Sequence, residues 1–263
     1  MAVRSALQHV MSAAALKAAR GLKRDFGEVE QLQVSVKGPS DFVSTADLKA
    51  EKTLREELAK ARPGFGFLME ESGETKGRDA RHRWIVDPLD GTTNFLHGIP
   101  HFAISIGLEE DGEMVAGLIY APIADEMYFA EKGRGAYLND RRLRVSARRT
   151  LDEAVIGTGI PFRGHGDHPR YLKTLAAVMD ATSGARRLGV ASLDLAYVAA
   201  GRFDGFWEFG LKPWDMAAGI ALIREAGGTV GGLTGGNPLE TGDVIAANAA
   251  LYEPLKQSLT AAL

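Results

Sequence analysis

The stretch Trp84-Ile85-Val86-Asp87-Pro88-Leu89-Asp90-Gly91-Thr92-Thr93-Asn94-Phe95 constrains this chain most, because an apolar run ends abruptly in acids, hydroxyls and a glycine. Trp84 to Val86 favour extended backbone. Pro88 fixes its own φ and pushes its predecessor away from helix, so Asp87 is expected to close a strand and the turn to begin at Pro88. Asp90 followed by Gly91-Thr92-Thr93 reads as the entry to a short helix, whose free N–H groups and positive dipole end attract an anion such as phosphate. Two carboxylates about 4 Å apart repel by roughly 4 kcal/mol at an effective dielectric near 20, so crowding them calls for a cation or a proton between them. Oxygen ligands with no His or Cys nearby favour Mg²⁺, Mn²⁺ or Ca²⁺ over zinc. Asp-Pro alone would be an ordinary turn beside a helix cap; the whole string is far more specific.

The string resembles the metal-binding signature of the inositol monophosphatase family, and two further segments agree. Phe67-Leu68-Met69-Glu70-Glu71-Ser72 is similar to the family's Glu-Glu-Ser segment, and Pro213-Trp214-Asp215-Met216-Ala217-Ala218-Gly219 to its Trp-Asp-x-Ala-Ala-Gly segment. The resemblance covers nearly the whole chain and implies an α/β (mixed α+β) fold, a layered αβαβα sandwich of the sugar-phosphatase type, and a homodimer. Periodicity alone supports only mixed α/β. The resemblance also implies that Glu71, Asp87 and the Leu89 carbonyl hold one Mg²⁺ and that Asp87, Asp90 and Asp215 hold a second, with two or three ions per subunit. Glu71 and Thr92 would orient the attacking water, with Asp90 also among the catalytic groups, and the backbone of Gly91, Thr92 and Thr93 would hold the phosphate. Gly189-Val190-Ala191-Ser192-Leu193-Asp194 is similar to the family's substrate-side Gly-Ser/Thr-Ala segment, so Gly189 and Ala191, with Glu208 and Asp215, would meet the alcohol. Val190 stands where a hydroxyl residue is usual, and Met69 where many relatives carry Gly. Asp41 and Asp47 read as helix caps; the resemblance makes Lys37, Asp41 and Asp47 outer groups around a loosely held metal. Adjacent glutamates on a strand face opposite sides, and alignment to the motif makes Glu71 the ligand and Glu70 structural.

The expected activity is a Mg²⁺-dependent, lithium-sensitive hydrolase that converts myo-inositol monophosphate to inositol and phosphate with a metal-activated water. No protein nucleophile is needed, which suits a chain with no cysteine and no Gly-x-Ser-x-Gly elbow. The signature reports metal and phosphate, not the alcohol, so histidinol phosphate, fructose 1,6-bisphosphate, a nucleotide or a glycerol phosphate are alternatives. A different class of reading is a binding role in a transcription or ribosome assembly. Arg141, Arg142, Arg144, Arg148 and Arg149 would serve it, but without interleaved aromatics they read better as a solvated hairpin edge.

The 263 residues suffice for a large core, and 31 basic against 34 acidic side chains call for neither nucleic acid nor membrane as main partner. The absence of cysteine excludes disulfides and thiolate ligands and fits a reducing cytoplasm. Residues 2–24 share the Ala-rich, basic composition of transit peptides, yet Leu7, Val10, Met11, Ala14, Leu16 and Ala18 outline a helical stripe, so a mature helix is expected. No run approaches the ~20 apolar residues of a membrane helix. Residues 1–150 form an N-terminal α+β half with most metal ligands. Residues 151–263 form an α/β half with Asp215 and the substrate side, the two making one continuous catalytic unit. Within the first half, strands are expected at Leu32 to Val36, Asp41 to Ser44 and Gly64 to Met69. A helix after Ser44 would bury Leu48, Leu54 and Leu58, a polar loop would span 72–83, and an antiparallel sheet 102–144.

Overall fold

The computed structural model describes residues 5–28, 34–38 and 41–263, and of 34–38 and 41–43 the backbone alone. Helix α1 (Ala6–Phe26) begins at Ser5, whose hydroxyl accepts from the Gln8 N–H, and buries Met11, Ala14, Ala15, Ala18, Ala19 and Leu22. Leu16 leaves the expected stripe, 44% exposed, because at about 100° per residue it falls outside the arc shared by Ala15, Ala18 and Ala19. Strands β1 (Val34–Gly38) and β2 (Asp41–Ser44) pair antiparallel. Leu32 and the turn at Pro39 lie outside the described residues, as do the side chains of Lys37 and Asp41. Helix α2 (Thr45–Ala61) buries Ala46, Ala50, Leu54 and Leu58, spaced by four. Leu48, two positions off that row, is 52% exposed, contrary to expectation.

The chain continues through β3 (Gly66–Met69), β4 (Gly73–Thr75), β5 (His82–Asp90), the short helix α3 (Thr92–Leu96), and β6 (Ala103–Glu110) to β7 (Glu113–Ala121), β8 (Glu126–Glu131), β9 (Gly135–Leu138) and β10 (Arg141–Arg142). These strands form one sheet in the order β10-β9-β8-β7-β6-β5-β3-β4, so part of the expected polar loop is strand. Asp111 with Gly112, and Asn139 with Asp140, adopt positive φ at the hairpin tips, the left-handed pairs that tight turns require. The second half supplies β11 (Val155–Thr158), α4 (His168–Ala181), β12 (Gly184–Arg186), α5 (Ala191–Ala199), β13 (Gly205–Glu208), α6 (Pro213–Glu225), β14 (Thr229–Gly231), α7 (Pro238–Thr241), β15 (Val244–Ala247) and α8 (Tyr252–Ala261). Its sheet runs β12-β11-β13-β15-β14, parallel at the centre and antiparallel at β15.

Three buried clusters fill the spaces between five layers. Met11, Leu22, Leu54 and Leu58 of α1 and α2 pack on Trp84, Val86, Ile104 and Ile106 of the large sheet. On its other face, Ile85, Ile119 and Tyr128 meet α5 and α6, which also cover Phe206 and Val244 of the small sheet. Tyr171 and Val178 of α4, with Leu255 and Leu259 of α8, close the outer face over Ile156, Trp207 and Ile245. This is the expected αβαβα order, with α5 and α6 as its middle layer.

Two details of the large sheet position the site. First, β5 does not end at Asp87 but runs on to Asp90 through a bulge: Asp87 pairs with Ser105 and Asp90 with Ala103, three steps on β5 against two on β6. Pro88, which has no N–H to give, sits inside the irregularity that tolerates it. In a regular strand residues 87 and 90 would face opposite sides; the extra residue restores parity and puts both carboxylates on the face of Ile85. Second, Gly107 and Gly117 are paired across β6 and β7, and a Cβ on Gly117 would come within 2.3 Å of the Ala218 carbonyl oxygen. The bare glycines make a trough in which α6 lies directly on the sheet. Ser105 then donates to the Trp214 carbonyl at 3.1 Å, fixing the start of α6 beside the bulge.

Candidate active site

Asp87, Asp90 and Asp215 are each oriented by a backbone donor. Asp87 Oδ1 accepts from the Leu89 N–H at 2.9 Å, Asp90 Oδ2 from the Ser192 N–H at 2.8 Å, and Asp215 Oδ2 from the Lys212 N–H at 2.7 Å. The last bond is the reach-back of a residue in the first turn of α6, so Asp215 caps its helix and faces the cleft at once.

Glu70, not Glu71, completes this group. Strand β3 runs parallel to β5 with Leu68 beside Ile85 and Met69 beside Val86, and the Glu70 N–H continues the ladder to the Val86 carbonyl. Phe67 and Met69 face α1 and α2, so alternation turns Leu68 and Glu70 toward the middle layer. Glu71 turns toward α2, where its N–H donates to Glu51 Oε2 at 2.9 Å. The expectation that Glu71 faces the metals is therefore corrected: alternation does select one glutamate, but the register with β5, invisible in two adjacent identical residues, selects Glu70.

Burial raises Asp87 well above the carboxylate range, and the charges of Glu70, Asp90 and Asp215 and a hydrogen bond with Glu70 raise it further. A hydrogen bond between two carboxyl groups needs a proton between them. Burial likewise pushes Asp90 up to about 6 against the pull of Ser192, and raises Asp215, with Asp90 next in effect. Asp47, expected as a cap or outer group, is both cap and neighbour of the site. Ser44 Oγ donates to its Oδ2 at 2.5 Å, and Thr92 Oγ1 lies 3.1 Å from its Oδ1 and 3.0 Å from the Leu89 carbonyl. Burial raises Asp47 as well.

Glu70, Asp90, Thr92 and Asp215 open onto a cleft with two adjoining lobes of about 390 and 500 Å³, which share Glu70, Glu208 and Asp215, while Asp87 and Asp47 are buried behind them. Gly91, Thr92 and Thr93 line the larger lobe at the start of α3, and Gly189 and Ala191 line it at the entry to α5. Gly91 has φ +91°, and a Cβ there would lie 2.8 Å from Val190 Cγ2, so Val190 acts as an apolar wall against the turn. Glu208 lines both lobes, pushed up to about 8 by burial and by Asp90, with Arg187 opposing. Arg187, Asp194 and the loop residues Ile160 and Phe162 also line the lobe, and sequence reasoning assigned none of them a role, although Asp194 ends the substrate-side segment. Asp194 alone carried a signal, an acid within the apolar run Leu193 to Val198.

A profile of the inositol monophosphatase family matches residues 3–263. The chain belongs to the inositol monophosphatase family. Among its relatives, the inositol-1-monophosphatase of Rhizobium meliloti is 61% identical over 97% of this chain and 96% of that one. The Nus factor SuhB of Pseudomonas aeruginosa is 45% identical over 92% of each. The crystal structure of the extragenic suppressor protein suhB from Bartonella henselae superposes with a TM-score of 0.94 at 59% identity, covering 97% of this chain and 98% of that one. The chain is thus an enzyme of a metal-dependent phosphatase family.

Among the described residues no three acidic or histidine side chains are already set to hold an ion. The donor set nonetheless fits a hard divalent cation: it is all oxygen, its carboxylates repel one another, and its three aspartates are held in place by backbone N–H groups. No helix among the described residues is long and apolar enough to cross a membrane.

The carboxylates set a pH dependence for the metal-free protein. Asp90 and Glu208 titrate near 6 and 8 when folded, against ordinary values of 3.8 and 4.5, so the folded chain keeps protons that the unfolded chain has released. Their contribution is fully present below about pH 4 and is lost as pH rises through 6 and 8. Because solvent reaches both through the cleft, the expected loss is about 1–3 kcal/mol between pH 5 and 8. Thermal unfolding in chelator should show a falling midpoint over that range, flattened by added Mg²⁺; a midpoint that rises with pH would contradict the assignment.

Proposed function

We propose that the chain hydrolyses myo-inositol monophosphate to inositol and phosphate, with Mg²⁺ as cofactor. The observation that carries the reading is the gathering of Glu70, Asp87, Asp90 and Asp215 beside a cleft that also offers Glu208 and Arg187 to a hydroxylated alcohol. The relative named inositol-1-monophosphatase supports the choice of alcohol.

Glu70, Asp87, the Leu89 carbonyl, Asp90 and Asp215 would hold two or three Mg²⁺, Glu70 taking the role first expected of Glu71. When bound, the ions would polarise phosphoryl oxygens, lower the pKa of the attacking water and neutralise the leaving alkoxide. The chain supplies positioning and proton movement. Thr92 Oγ1 can take a proton from water as it passes its own to Asp47 Oδ1, whose burial strengthens its hold on that proton. The backbone of Gly91, Thr92 and Thr93 faces the phosphate, while Gly189, Ala191, Glu208 and Asp215 surround the alcohol. The same reading makes the enzyme lithium-sensitive, cytoplasmic and homodimeric; sedimentation of the 28.2 kDa chain tests the last.

The relative named Nus factor SuhB favours a second reading, a binding role in transcription. Arg141 and Arg142 lie exposed on β10 at the sheet edge, as a solvated edge would, and Arg148 is engaged with buried Asp204 at 3.1 Å.

Phosphate release from inositol 1-phosphate, histidinol phosphate, fructose 1,6-bisphosphate, 2′-AMP and glycerol 2-phosphate separates these readings. Turnover should favour the inositol ester, require Mg²⁺ in the millimolar range and fall in Li⁺ at matched ionic strength. Full turnover after exhaustive chelation would sink the metal-dependent reading, and no release from any ester would leave the binding role. Within the site, Glu70→Gln should lower kcat by about a hundredfold or more, whereas Glu71→Gln should cost far less. The reverse order under saturating Mg²⁺ would restore Glu71 to the role.

A further inference from the structure

Asp194 stands on α5 among Leu193, Leu195, Ala196 and Val198, all buried. Only 1% of the residue is exposed, and its Oδ1 is buried without a hydrogen-bond partner. An acid near a helix start usually caps an N–H or faces water. Asp194 does neither: its own N–H donates into the helix at the Val190 carbonyl, and its side chain lines the larger lobe of the cleft. A buried carboxyl oxygen with no donor costs stability unless something else supplies the donor.

The surroundings indicate what that donor is. Glu208, a second carboxyl, shares the lobe, and it fits only because residue 159 is glycine: a Cβ there would lie 1.8 Å from Glu208 Oε1. Arg187 lines the same lobe. Two carboxyl acceptors and a guanidinium donor suit an alcohol that carries several hydroxyls, each able to donate and to accept. Gly91 to Thr93, the phosphate end, line the same lobe, so one polyol monophosphate can meet the turn with its phosphate and the carboxyl pair with its free hydroxyls. A leaving group without hydroxyls has nothing to offer the unpartnered oxygen.

We propose that Asp194 is a specificity-determining residue whose Oδ1 accepts a hydroxyl of the leaving alcohol, selecting polyol monophosphates over esters of alcohols that lack further hydroxyls. This rests on the phosphatase reading above and adds to it the residue that reads the alcohol. One nearby departure from the family pattern supports the need for it. Val190, in place of a hydroxyl residue, is an apolar wall, so the reading of hydroxyls falls to the carboxyl one turn further along α5. Since the acid serves no bond within the fold, its replacement by an apolar residue of similar size should not destabilise the ligand-free protein.

The test compares the full-length Mg²⁺-loaded enzyme with Asp194→Asn and Asp194→Leu on myo-inositol 1-phosphate and p-nitrophenyl phosphate. Both variants should raise KM for the inositol ester by about tenfold or more, while kcat/KM for the aryl ester changes far less, so the ratio of the two shifts by about tenfold. Thermal unfolding without substrate should give Asp194→Leu a midpoint no lower than the wild type. Parallel losses on both esters, an unaltered ratio, or a strongly lowered midpoint of the near-isosteric Asp194→Asn would overturn the proposal. Should Asp194→Leu not fold, the near-isosteric Asp194→Asn decides by the ratio alone. A wild type that turns over the aryl ester and not the inositol ester would instead sink the function proposed above. The Asp194 ratio is then read on glycerol 2-phosphate, whose two hydroxyls also need acceptors.

Discussion

Everything at the site depends on one extra residue in β5. The bulge that sets Asp87 against Ser105 and Asp90 against Ala103 turns two carboxylates to one side of a sheet that would otherwise separate them. It also hosts Pro88, which a regular central strand would reject for want of an N–H. The cost is electrostatic, because two acids on one face with Glu70 and Asp215 beside them hold each other's protons. That cost makes the arrangement specific, since it is relieved by protons at low pH and by a divalent cation at neutral pH.

Holding repelling groups together requires a frame that does not yield, and the layers supply it. The face of β5 opposite the acids is packed through Trp84, Val86 and Leu89 against α1 and α2, so the strand cannot roll to relieve the repulsion. Backbone N–H groups of Leu89, Ser192 and Lys212 each hold one aspartate, and two of the three come from the second half of the chain. The second half is thus part of the site's construction. Asp47 joins by a different route, capping α2 through Ser44 while accepting a hydrogen bond from Thr92, so a helix start is tied to the turn that carries the site.

The sequence was legible where chemistry and punctuation coincide. Pro88 and Gly91 mark the irregularity around Asp87 and Asp90, and the hairpin tips at Asp111-Gly112 and Asn139-Asp140 are visible in their residue types. It was illegible where the answer depends on register. Nothing local distinguishes Glu70 from Glu71; only the pairing of Leu68 with Ile85 does. Helix faces suffered similarly: Leu16 and Leu48 are exposed, while alanines that a hydrophobicity count passes over fill much of the buried rows beside Met11, Leu22, Leu54 and Leu58. Pro88 misled in one respect, since its preference for extended backbone before it is compatible with both an ending strand and a bulged one. Arg187 and Asp194 come to the cleft by tertiary packing.

The alanines and glycines matter for a further reason, which links the core to the chemistry. Paired Gly107 and Gly117 let the Ala217-Ala218 stretch of α6 rest on the sheet backbone, and a Cβ on either glycine would meet α6 within 2.7 Å. Close approach fixes the height of α6, and Ser105 fixes its start through the Trp214 carbonyl, one residue from Asp215. Ser105 is also the partner of Asp87 across the β5–β6 ladder. The separation of Asp87 and Asp215 is therefore set through three contiguous contacts, none of which involves a carboxylate. A side chain in that trough would lift α6 and move Asp215 away from Asp87 while leaving every acid in the sequence intact. Small residues between the sheet and α6 therefore belong to the site as much as the acids do, since the spacing of the acids depends on them.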